Sequence, residues 1–318
     1  MSNRIQVLTV ADGNWAPQIA TTLRSVIDTT NNPDSIELLV GSISIPAEAR
    51  ERIQRSVPDH RITWIDVPLE WLAVIPESKS HKSLYARLHV FETLSSRLDR
   101  VIYIDSDMIV RAPIEQLWDV DLHGHVLAAS RCPWGLWMGR GQWNVDELGI
   151  DGNLKYAQTG LQLIDLGRWR SQSVFEKCEG YIERFAEQIH LGDQEILNGV
   201  LNDDWLELPT RWNIYADSSF AVPELVNCAF SRTALEDART NPGIIHFVGP
   251  VKPWLWSHPH RDGLLAVDIW EDTAMRTDYA DWFSAERERG LADLAATRSR
   301  RRSLLRRMRK SIAVLLHG

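Results

Sequence analysis

Short β-branched runs alternate with segments of helical period through the first half of this chain, and that alternation restricts the fold more than any other feature. IQVLTVA (5–11), SIELLVGSI (35–43), RITWIDV (61–67) and VIYIDSDMIV (101–110) read as strands. WAPQIATTLRSVI (15–27), AEARERIQRSV (47–57) and SLYARLHVFETL (83–94) repeat their apolar positions every three or four residues, as helices do. Such βαβ alternation predicts an α/β fold with a mostly parallel central sheet and helices on both faces. Further strands are expected at HVLAAS (125–130), GLQLIDL (160–166) and GIIHFVG (243–249), and helices at SVFEKCEGYIERFAEQ (173–188) and DQEILNGVL (193–201). Ligands of parallel sheets gather beyond the carboxyl ends of the strands. Asp105 and Asp107 fall where VIYI ends, so they already occupy the position of a binding site.

Chain length sets the next limit. With 318 residues and 44% hydrophobic content the chain can bury a large core. No linker or repeat divides it before about residue 270, so residues 1–270 are expected as one domain and 271–318 as a helical segment with a basic tail. The formal charge of −8 conceals an asymmetry: residues 298–310 carry eight basic side chains and no acid follows Asp293. Without those eight, the 35 basic residues fall to 27 against 43 acidic ones, a net of −16. An acidic body argues against nucleic-acid binding and assigns the tail a role of its own. Cys132, Cys178 and Cys228 lack metal-site spacing and are odd in number, which fits a reducing compartment. The start lacks a signal-peptide pattern and no run approaches the ~18 apolar residues of a membrane span. The expectation is a cytoplasmic protein.

Two carboxylates one residue apart on an extended segment share a face and can converge on one cation. Mg²⁺ and Mn²⁺ favour such oxygen ligands and leave coordination sites for phosphates. A second copy, Asp119-Val-Asp121, follows a short helical pattern and reads as a solvated helix end and turn. Between the strands at 125–130 and 160–166 lies CPWGLWMGRGQWNVDELGIDGN (132–153), a long loop without clean periodicity. Its Trp134, Trp137 and Trp143 offer flat apolar faces to a ligand, or equally pack the loop to the body.

Five segments occur together and in order: YARL (85–88), VIYIDSDMIV, YAQTGLQLIDLGRW (156–169), LGDQEILNGVL (191–201) and IIHFVGPVKPW (244–254). The set resembles the retaining glycosyltransferases of family 8, which includes lipooligosaccharide galactosyltransferases and glycogenin, over roughly residues 5–256. The resemblance implies a GT-A fold and transfer of a hexose from a UDP-sugar with Mn²⁺, Mg²⁺ being the alternative ion. It implies Asp105, Asp107 and His246 as metal ligands. It places Ala11, Asp12, Asn14, Trp15, Arg87, Ser106, Gly249 and Lys252 at the nucleotide, and Gln158, Thr159 and Gly160 at the donor sugar. Asp193 and Gln194 match the pair beside the reacting centre, and Asp193 also reads as the N-cap of the helix that follows. The family pattern usually has Asn-Ala-Gly where this chain has Gln158-Thr159-Gly160, a departure expected to alter donor choice.

No strong nucleophile stands at the matching position, since Gln194 is an amide, so same-face attack by the acceptor is the expected route. Competing readings are a sugar-nucleotide-forming nucleotidyltransferase, which VADGNWAP does not support as a triphosphate loop, and a nucleotide-sugar-binding protein without turnover. RSRRRSLLRRMRKSIAVLLHG (298–318) interleaves arginines with apolar residues at helical spacing. It is expected to lie on an anionic membrane surface, the inner face in a cytoplasmic enzyme, where a glycolipid or other saccharide acceptor is made.

Overall fold

Strand β1 (Ile5–Asp12) buries side chains on both of its faces: Ile5, Val7 and Ala11 enter one apolar cluster, and Leu8 and Val10 another. A strand buried this way needs cover above and below. In the computed structural model that cover comes from helices on either side of a seven-stranded sheet ordered β3-β2-β1-β4-β7-β6-β8. The structure describes residues 4–73, 75, 83–133, 137–217 and 230–317, with the backbone alone at 83, 298 and 300–317. The remaining strands of the sheet are β2 (Ile36–Ile43), β3 (Ile62–Asp66), β4 (Arg100–Ile104), β6 (Leu127–Arg131), β7 (Ala157–Asp165) and β8 (Trp205–Glu207). All pair in parallel except β7, which runs antiparallel to both β4 and β6.

The longer helices are α1 (Ala16–Thr29), α2 (Ala47–Ser56), α3 (Ser83–Ser95), α4 (Leu166–Ser171), α5 (Val174–Phe185), α6 (Asp193–Leu201), α7 (Arg232–Thr240), α8 (Val267–Met275) and α9 (Ala280–His317). Ile19, Leu23 and Val26 of α1 share one cluster with Trp270 of α8 and Phe283 of α9. Val90 and Leu94 of α3, Ile182 of α5 and Leu197 of α6 form the other. Each such fully buried side chain contributes about 1.5–3 kcal/mol of transfer free energy.

VIYIDSDMIV is not one strand. The chain leaves the large sheet at Ile104 and enters a second, three-stranded sheet at β5 (Met108–Val110), which pairs with β10 (Ile244–His246) and through it with β9 (Ile214–Tyr215). Asp105-Ser106-Asp107 is the link between the two sheets. Its carboxylates could not lie inside an apolar ladder without a partner, and the link frees them while its backbone stays paired. The Asp105 N–H donates to the Gly160 carbonyl at 2.8 Å, and the Phe247 N–H donates to the Asp107 carbonyl at 3.0 Å. Among the described residues, no helix is long and apolar enough to cross a membrane.

Candidate active site

The link is fixed from below by α1, where the Thr22 hydroxyl is shared between the carbonyls of Ser106 (2.8 Å) and Met108 (2.9 Å). From the second sheet, β10 carries His246 opposite Met108 and so beside the acidic pair. His246 Nε2 lies 3.1 Å from Asp107 Oδ1 and 3.8 Å from Asp105 Oδ2. Its Nδ1 lies 3.0 Å from Asn213 Oδ1, an acceptor, so Nδ1 carries the proton and Nε2 presents a lone pair. Three lone-pair donors then face one another, with ligand atoms all within 4.8 Å. Two carboxylates and an imidazole at that spacing can hold a divalent cation.

Gly160 makes this convergence possible. A Cβ there would lie 2.6 Å from His246 Cε1 and 2.7 Å from Asp105 Oδ2, so only a glycine leaves room for both ligands.

Two cations balance the acids. Arg87 is 3% exposed, with Asp105 Oδ1 at 2.9 Å, Asp193 Oδ2 at 3.4 Å, the Thr159 carbonyl at 3.1 Å and the Tyr103 ring beneath its guanidinium. α3 turns Arg87 into the protein, where the ends of β4 and α6 offer it carboxylates. Lys252 Nζ donates to Asp107 Oδ2 at 2.6 Å and to the Phe247 carbonyl at 2.5 Å. Burial alone would raise the Asp107 carboxyl, but the Lys252 ammonium overrides it and holds the group well below the usual carboxylate range. Burial pushes Asp193 up to about 6, against the pull of Arg87 and with help from the Asp105 charge.

Asp193 is not the N-cap. Gly192 occupies that position with φ +61°, and Asp193 is the first helical residue, its carboxylate accepting from the Thr159 hydroxyl at 3.1 Å. A left-handed glycine cap turns the following side chain inward toward Arg87, which a capping aspartate would not do.

Ala11, Trp15, Arg87, Asp105, Ser106, Asp107, Gly249 and Lys252 line one cleft of about 470 Å³, together with Val10, Leu84 and Val248. Asp12 and Asn14 are not on its wall. The Asp12 carboxylate instead accepts from the Asn14 N–H at 2.8 Å and caps the turn that carries Trp15. Trp15 meets Trp254 edge to face at 5.8 Å, and Gly249, at φ +88°, makes the turn that brings Lys252 back to the cleft. Gln158, Thr159, Asp193 and Gln194 gather where β7 meets α6, behind Arg87; the Thr159 N–H approaches Gln194 Oε1 at 3.4 Å.

Asp119 and Asp121 are exposed, the latter accepting from the His123 N–H at 2.8 Å, as a turn does. Trp143 donates to Glu195 Oε1 at 2.6 Å and stacks edge-on against Phe185, packing the long loop to the body, while Trp137 lies under Arg131. Trp134 lies outside the described residues. A larger cleft of about 680 Å³ runs along β8, lined by Trp205, Glu207 and Arg211 among others. It contains none of the grouped ligands, so chemistry and not size selects the site.

Sequence reasoning missed Tyr103, whose hydroxyl donates to Asp105 Oδ1 at 2.5 Å, and Asn213, which orients His246. No motif marks either one; the polar tip of Tyr103 inside VIYI was the single available signal.

Against known proteins, the model of Glycosyl transferase family 8 matches residues 6–257. General stress protein A of Bacillus subtilis is 28% identical over 274 residues, which span 81% of this chain and 91% of that protein. Glycosyltransferase GlyF of Streptococcus pneumoniae is 30% identical over 174 residues, 54% of this chain but only 37% of that longer one. Among solved structures, the galactosyltransferase LgtC in complex with donor and acceptor sugar analogs superposes with a TM-score of 0.70 at 25% identity, covering 86% of this chain and 96% of that one.

Proposed function

Because the chain belongs to glycosyl transferase family 8 and has the GT-A fold of its structural neighbours, we propose that it moves a hexose from a UDP-sugar to a saccharide or glycolipid hydroxyl with retention of anomeric configuration. The observation that carries this reading is the meeting of Asp105, Asp107 and His246, the two aspartates standing in the wall of the cleft that Trp15 and Lys252 also line. Asp105, Asp107 and His246 would hold Mn²⁺, which supplies charge neutralisation to a diphosphate leaving group.

The chain's own residues do the rest. Lys252, already in the cleft wall, adds a compact positive charge to the diphosphate, and Gly249 permits close backbone approach. Arg87 locks Asp105 to Asp193 and so ties the nucleotide half of the site to the sugar half. The Asp193 carboxylate is engaged by Arg87 and Thr159, and is therefore a poor nucleophile. Gln194, an amide, stabilises positive charge on the sugar without bonding to it. The acceptor hydroxyl attacks from the face the UDP leaves, and the departing phosphate takes its proton. The tail from residue 298 holds the enzyme at an anionic membrane surface, where lipid-linked acceptors reside.

The test is release of UDP from a panel of UDP-hexoses, with and without Mn²⁺. Asp107→Ala should abolish it. Metal-independent release, or full activity in that variant, would refute the reading.

A further inference from the structure

We infer that Gln158 is a positioning residue for His246, acting through Asn213, and not primarily a contact to the donor sugar. The inference rests on the reading of His246 as a metal ligand.

The argument starts from a group that has no choice of role. The backbone N–H of Gly160, inside β7, can only donate. It meets Gln158 Oε1 at 2.8 Å, so the amide of Gln158 must present its oxygen there. The same oxygen accepts from Asn213 Nδ2. Asn213 can make that contact only with its NH₂ group, which leaves its Oδ1 to face His246 Nδ1 at 3.0 Å. Nδ1 therefore holds the proton, and the bare Nε2 looks at Asp107 and Asp105. One fixed backbone donor thus sets the polarity of three side chains in series and ends by exposing a lone pair at the metal position.

Burial makes the relay effective. Gln158, Asn213 and His246 are 7%, 2% and 3% exposed, so water does not compete for their hydrogen bonds. Without an acceptor at Gln158, the Asn213 amide is free to rotate by half a turn. Its NH₂ would then face Nδ1, move the proton to Nε2, and direct an N–H at Asp107 in place of a lone pair. An asparagine at 158 would be shorter by one methylene, about 1.5 Å, and would keep the local Gly160 contact while losing Asn213. The departure from the usual Asn-Ala-Gly is in this view what recruits the residue to the histidine.

The test uses Mn²⁺ alone, without nucleotide or turnover. Free Mn²⁺ is titrated by electron paramagnetic resonance, and the His246 tautomer of the metal-free protein is read from ¹⁵N chemical shifts. Gln158→Leu should bind Mn²⁺ about 10–100-fold more weakly, the range found when an outer partner of a ligating histidine is lost, and should show the Nε2–H tautomer. Asn213→Asp placed in the same chain should restore both, because a carboxylate accepts from Nδ1–H whichever way it is turned. Should Gln158→Leu fail to fold, Gln158→Asn carries the same expectation. Wild-type affinity with the Nδ1–H tautomer in the folded variant, or no restoration in the double variant, overturns the relay. His246→Ala separates the two levels of the argument. Unchanged Mn²⁺ binding there defeats the ligand reading itself, whereas loss there with normal binding in Gln158→Leu defeats the relay alone.

Discussion

Replacing Gly160 by alanine adds a single methyl group at the point where two ligands and Gln158 converge. The glycine is not among the residues with positive φ, so backbone conformation alone would favour alanine in β7 by up to about 1 kcal/mol. The surroundings oppose it: the new Cβ would lie 2.6 Å from His246 Cε1, 2.7 Å from Asp105 Oδ2 and 3.0 Å from Gln158 Oε1. Carbon atoms rest at about 3.5–4.0 Å, so the imidazole must retreat by roughly 1 Å. Overpacking of this kind costs about 1–3 kcal/mol, leaving a modest net loss of stability. The effect on metal binding is larger, because a site tolerates deviations of only about 0.2 Å in its ligand distances. Moving two of three donors by several times that amount should weaken Mn²⁺ binding by about 100-fold or more, roughly 2.7 kcal/mol. Titration of Mn²⁺ followed by electron paramagnetic resonance measures the loss of metal binding, and thermal unfolding in chelator measures the loss of stability. Gly160→Ala protein that is folded and binds Mn²⁺ as tightly as wild type would refute the geometry on which the site is built.

Three other outcomes follow from the same structure. Arg87→Leu leaves the buried Asp193 and the partly buried Asp105 facing each other without their shared cation, and should cost about 3–5 kcal/mol in urea unfolding; a loss below 1 kcal/mol would show that Arg87 does not support the fold. The folded protein holds the Asp193 proton up to about 6 against 3.8 when unfolded, so metal-free stability falls by about 2 kcal/mol as pH rises from 4 to 6; Asp193→Asn should remove that slope, and an unchanged slope would deny Asp193 the buried environment assigned to it. Deleting residues 298–318 should abolish binding to vesicles containing anionic lipid, measured by sedimentation, and undiminished binding would exclude the tail as the anchor.

The sequence carried the layered α/β plan, because strands of period two and helices of period 3.6 declare themselves locally. β8 and β9, at three and two residues, are too short for that signal. Asp105 and Asp107 were legible as a possible ion site from their place at a strand end. The break between β4 and β5 was not, because the apolar residues on either side are alike and only the partner sheet distinguishes them. Asp193 was misassigned as a cap for a related reason: a local rule sees the helix start but not Arg87, 106 positions earlier in the chain. Residue types, their spacing and the resemblance to one family were thus decided by the chain alone. What the tertiary structure decided was direction: which side chain turns inward, which nitrogen of His246 is bare, and which carboxylate meets which cation. Those depend on contacts between residues far apart in sequence, where hydrogen-bond polarity and burial, which leave no local periodic trace, select one arrangement.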